Sequence, residues 1–81
     1  MRIHYITLCT RGNTEVSHIM RNNKLEVTFE MAVPGGFNTA VVDDMGNVIS
    51  NSGFNGSDLA YFSSFVSRHK ENMLAEQRGE L

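Results

Sequence analysis

The sequence has no tryptophan, one proline and one cysteine. It has no apolar run near the roughly 20 residues that a membrane-spanning helix needs. A lone cysteine, Cys9, excludes an internal disulfide. Neither sign of charge dominates, since nine acids against seven bases leave a net charge of −2. That is too mild for an electrostatic footprint on nucleic acid, and far too mild for a mimic of DNA. Zinc and redox motifs such as CxxC and HExxH are missing, and the glycines at 35–36 and at 53 and 56 lack the lysine and spacing of a phosphate loop. The opening Met-Arg-Ile-His-Tyr lacks the apolar centre of a secretion signal. With five methionines and one cysteine, the expectation is a cytoplasmic protein without contact to a membrane. The glycosylation sequon Asn55-Gly56-Ser57 then reads as accidental.

What is present is ordinary for a globular chain: 41% hydrophobic and 20% charged residues over 81 positions. A chain of this length buries roughly 60 to 65% of its unfolded surface. It is therefore read as a single domain over 1–81, with 79–81 as a frayed tail.

The stretch from Thr14 to Ala32 organises the rest. Two β-rich runs flank Asn22-Asn23, and asparagine tolerates the left-handed conformation that a two-residue hairpin demands. With the turn there, Arg21 faces Lys24, Met20 faces Leu25, His18 faces Val27 and Val16 faces Phe29. One surface becomes Val16, His18, Met20, Leu25, Val27, Phe29 and Met31. The other carries Ser17, Arg21, Lys24, Glu26, Thr28 and Glu30, with Ile19 its one large apolar residue.

Around this hairpin the chain supplies further strands. Residues 2–9 read as a first strand of blurred alternation, and 10–13 as a turn. Val33-Pro34-Gly35-Gly36 ends the third strand. A second hairpin turns at Asp44-Met45-Gly46, with Gly46 left-handed, and pairs Val42 with Val48 and Val41 with Ile49. Its apolar side chains point both ways, which places it inside the sheet or under cover on both faces. From Asp58 to about Arg78 the period becomes helical, capped by Ser57 or Asn55, with Leu59, Phe62, Val66 and Met73 as the buried stripe. The fold expected is α+β: an antiparallel sheet of about five strands, two hairpins plus an N-terminal strand, with one C-terminal helix on one face. The alternative is β-α-β-β-β-α, with Asn13–Met20 as a short capped helix.

Nothing in the chain assembles into an active site, and neither a cofactor nor a bound metal is expected. His4, His18 and His69 share no helical metal spacing. His18 on the dry face reads as a neutral histidine at the core edge, with a pH-sensitive role as the sharper alternative. Cys9 would need a stabilised thiolate beside Arg11 and a histidine to act as a nucleophile; a lone cysteine at a strand end serves as a small apolar filler. Asp43 and Asp44 supply too few oxygens for calcium and suit a tight turn.

The surplus lies in aromatics. Tyr61, Phe65 and His69 recur every four residues on the flank of a stripe that is already complete. With Phe54 in a polar loop, Tyr5 on the ambiguous first strand and Phe37 after the double glycine, they are candidate anchors for another protein. The bland counterpart is a curved sheet wide enough to cover them. The function expected is a small non-enzymatic protein that binds another protein, as an inhibitor, adaptor or accessory factor. Its composition suits one encoded by a phage or mobile element against a host factor. The alternative is a nucleic-acid-binding module that presents Arg21 and Lys24 at the hairpin turn. A homodimer through an edge strand or the Tyr61 and Phe65 flank is a third outcome.

Overall fold

A computed structural model describes residues 14–79 in full and residues 3–6 by backbone alone. Five strands and a helix follow one another: β1 (Ile3–Ile6), β2 (Glu15–Arg21), β3 (Lys24–Val33), β4 (Gly36–Asp43), β5 (Val48–Ser52) and α1 (Gly56–Gln77). Each strand pairs antiparallel with the next, in the spatial order β1-β2-β3-β4-β5. The architecture is the expected α+β one, an antiparallel sheet with the C-terminal helix packed on one face. Of the first strand expected over 2–9, the described part is Ile3–Ile6, which pairs with β2. Residues 2 and 7–13, Cys9 and the expected turn among them, lie outside the described residues.

The central hairpin turns where the sequence places it. Asn22 and Asn23 adopt φ values of 53° and 64°. Two positive φ values define the turn whose twist matches that of the strands it joins. The register follows: Arg21 opposite Lys24, Met20 opposite Leu25, His18 opposite Val27 and Val16 opposite Phe29. Residues 15–21 are extended, so the alternative with a helix at Asn13–Met20 falls. Stiff β-branched Val16 and Ile19 and pairing on both sides of β2 outweigh one capping asparagine. Between β3 and β4 the chain reverses over Pro34 and Gly35, and Val33 stands opposite Gly36.

The next hairpin departs from expectation. Gly46 is left-handed (φ 84°) and Val42 stands opposite Val48, both as the sequence implies. However, Val41 pairs with Ser50, because a bulge makes Ile49 an extra residue on β5. β5 is also the last strand of the sheet and exposed throughout, so this hairpin is neither internal nor covered twice.

The helix buries its stripe on β2, β3 and β4. Asn55 caps it, its side-chain oxygen accepting from Asp58 N–H at 2.9 Å. Gly79, expected in the frayed tail, closes it instead: at φ 80° its N–H donates to the Glu76 carbonyl at 3.0 Å. Residues 80 and 81 lie outside the described residues. The core consists of Val16, Leu25, Val27, Phe29, Ala40, Val42, Phe54, Phe62, Phe65, Val66 and Met73. At its centre Phe62 stacks on Phe29, with ring centroids 4.1 Å apart, while Phe65 meets Phe29 and Phe54 meets Phe62 edge-on.

Candidate functional site

The sheet width decides what becomes of the surplus aromatics. A helix lying on two strands would leave its flank bare. Here β3 and β4 extend the dry face to Ala40 and Val42, and the covered sector of α1 widens accordingly. Phe65 is 1% exposed and Phe54 6%, so both are core residues and neither offers a surface to a partner. Phe54 reaches the core because Asn51 grips its backbone, donating to its carbonyl at 3.0 Å and accepting from its N–H at 3.1 Å. Gly53 permits that loop: it sits at φ 103°, and a Cβ there would collide with the Asn38 side chain. Tyr61 and His69 are half-buried beside this cluster, His69 against the Phe65 ring at 4.3 Å and Tyr61 under the Arg68 guanidinium at 5.8 Å. The side chain of Tyr5 lies outside the described residues.

The bare apolar residues lie elsewhere. Phe37 is 66% exposed, Met45 75%, Ile49 54% and Val48 38%. All four belong to β4, to β5 or to the turn between them. Of these the sequence singled out only Phe37. Alternation alone places the second hairpin inside the sheet or under cover on both faces, and so hides Met45, Val48 and Ile49. The signal was a final strand, Val-Ile-Ser-Asn-Ser, with neither charge nor proline to blunt it as an edge. Its turn is firmly built. Asp43 Oδ1 accepts from Met45 N–H at 2.9 Å and from Asn47 N–H at 2.8 Å. Those donors, the Asn47 N–H foremost, hold the Asp43 carboxyl below the usual carboxylate value. The acid pair at 43–44 thus serves a turn.

Arg21 and Lys24 face one another at the opposite hairpin, and both are exposed. Arg21 Nε lies 3.3 Å from Glu26 Oε1. Glu26 stands opposite Asp43, so two carboxylates neighbour the two cations on the open face of the sheet, while Glu15 stands opposite Glu30 at the far end of the hairpin.

A fourth feature joins the ends of the described chain. His18, 1% exposed on β2, is met by the last turn of α1. Gln77 Nε2 lies 2.9 Å from His18 Nδ1 and donates to the His18 carbonyl at 3.1 Å. His18 Nε2 lies 3.6 Å from Glu76 Oε2. Gln77 falls four residues after Met73 and so continues the buried stripe. A polar residue at the end of that stripe and one on the dry face were the legible halves of this contact.

Among the described residues no three His, Cys, Asp or Glu side chains are grouped to hold a metal ion, and no helix is long and apolar enough to cross a membrane. Compared with protein-family models, with curated proteins and with solved structures, the chain matches none.

Proposed function

We propose that this chain is a small non-enzymatic protein that docks on another protein through the β4–β5 side of its sheet. One observation carries the reading: β5 is an exposed, uncharged edge strand, and Met45, Val48 and Ile49 stand uncovered along its hairpin. An edge strand presents backbone N–H and C=O groups that an extended segment can pair with, and neighbouring apolar side chains add anchoring. Phe37 and half-buried Val41, each two residues from Thr39 on β4, offer further apolar surface on the open face. The role would be that of an inhibitor, adaptor or accessory factor; its encoding by a phage or mobile element against a host factor rests on composition alone.

The test is affinity capture from the native cell with wild type, Ile49→Lys and Tyr61→Ala side by side. A charge on an edge strand opposes strand addition. The expected prey binds wild type and Tyr61→Ala and is lost with Ile49→Lys. Retention by Ile49→Lys together with loss in Tyr61→Ala would move the surface to the helix flank and refute the edge. Light scattering on purified protein separates a second copy of this chain from a foreign partner.

A second reading has an observation of its own, the exposed pair Arg21 and Lys24 side by side at one turn. A nucleic-acid-binding module would lose affinity steeply with added salt, and replacing both residues would flatten that dependence. Affinity insensitive to salt removes this reading.

A further inference from the structure

His18 sits on the helix-covered face of β2, and Glu76 and Gln77 of the last turn of α1 meet its ring. A carbonyl oxygen only accepts hydrogen bonds, so the Gln77 atom bonded to the His18 carbonyl is a donor nitrogen. The same nitrogen faces Nδ1, which therefore accepts as well. The neutral ring then carries its proton on Nε2, the atom beside Glu76. Opposite His18 on β3 stands uncharged Val27, and on β1 stands His4, known here by its register alone. From α1 the Glu76 carboxylate lies beside the ring.

We propose that this contact is a proton-operated latch: neutral His18 holds the last turn of α1 on β2, and protonation at Nδ1 releases it. A protonated Nδ1 becomes a donor and sets its N–H against that of Gln77. Turning the amide to offer its oxygen to the ring would set that oxygen against the His18 carbonyl. In both cases one of the two bonds is lost, and a cation stands in the seam between sheet and helix. Glu76 opposes the release, since its carboxylate lies 3.6 Å from a ring with no solvent exposure and is only partly screened; the latch opens because the lost Gln77 bond and the buried cation outweigh that attraction. Release frees the last turn of α1, in which half-buried Leu74 packs against the core.

The experiment uses the full chain and nuclear magnetic resonance. Ring nitrogen shifts at neutral pH report the tautomer. Amide hydrogen exchange, corrected for its intrinsic pH dependence, reports the helix end between about pH 7 and about pH 5, the window in which histidine titrates. The expected result is the Nε2–H tautomer, with protection of the amides of residues 74–78 falling at least about tenfold on acidification while those of 62–66 hold. In Gln77→Glu a carboxylate can accept from protonated Nδ1, so the fall should vanish or reverse. In Gln77→Met, similar in length but without a donor, protection should be low at both pH values. An Nδ1–H tautomer, flat protection in wild type, an equal response in wild type and Gln77→Glu, or a loss shared by the whole helix would each overturn the latch.

Discussion

Replacing Phe65 by alanine separates a core helix flank from a contact surface more sharply than any other change. The side chain is 1% exposed, meets Phe29 edge-on at 5.6 Å and lies against His69 at 4.3 Å. Truncating a buried phenylalanine costs about 3 to 5 kcal/mol, the sum of lost transfer energy and the cavity left behind. The whole domain has only about 4 to 12 kcal/mol to lose, at roughly 0.05 to 0.15 per residue over 81 residues. Phe65→Ala should therefore unfold the chain at room temperature or lower its melting temperature by at least about 12 °C, at about 4 to 8 °C per kcal/mol for a domain of this size. Tyr61→Ala, one turn earlier and half-buried, should cost about 1 kcal/mol. Urea unfolding followed by circular dichroism, with both variants against wild type, reads the difference. Equal costs for the two, or less than about 1 kcal/mol for Phe65→Ala, would mean that the helix is rotated and that the flank faces solvent.

Further changes probe the turns. Asn22→Val forces a β-branched residue to φ 53° and should destabilise by about 1 to 2 kcal/mol in the same assay, with Asn22→Gly close to neutral. Gly53→Ala meets both a positive φ of 103° and the Asn38 side chain; a loss of about 1 to 3 kcal/mol is expected, along with altered near-ultraviolet signals from the Phe54 region. Asp43 is held below its ordinary value by the Asn47 and Met45 N–H groups, so the unfolded chain takes up its proton first as pH falls. Its contribution is fully present above about pH 4, the unfolded range, and fades as pH drops through the lower folded value. Asp43→Asn should remove that part of the acid dependence, which carboxyl titration by nuclear magnetic resonance can follow.

How much was legible in the sequence depended on whether a feature was local. The Asn22-Asn23 turn and its register could be read because turn chemistry and two-residue alternation act within a few residues. The stripe of Phe62, Val66 and Met73 was legible for the same reason, with Leu59 half-buried beside it; the cap was legible only as Asn55 or Ser57, and the helix begins early enough, at Gly56, to take Ser57 inside. The fate of Phe65 was not, because it depends on how many strands lie beneath α1, a property of the assembled sheet. The bulge at Ile49 was hidden too. The segment 48–52 satisfies a regular hairpin as well as a bulged one, and one extra residue decides which apolar side chains are covered. What makes the hairpin an exposed edge is the place of β5 as the last strand of the sheet, again a property of the assembled sheet, and on that edge the proposed docking surface rests.

The topology also ranks the parts by how readily they open. Every strand pair is a connection between consecutive strands, so the sheet assembles from short-range contacts. The helix is the element that closes the structure over long sequence separation, as the Gln77 to His18 contact, 59 residues apart, illustrates. Long closures cost the most chain entropy and are supported here at the helix end by a few polar contacts and a half-buried Leu74. Nearer the middle of α1, by contrast, Phe62 and Phe65 lock onto Phe29. Opening should therefore begin at residues 74–78 and stop at the aromatic cluster, leaving the sheet and its β5 edge intact. A docking edge and a movable helix end can then coexist in one small domain, because the stacked phenylalanines lie between them.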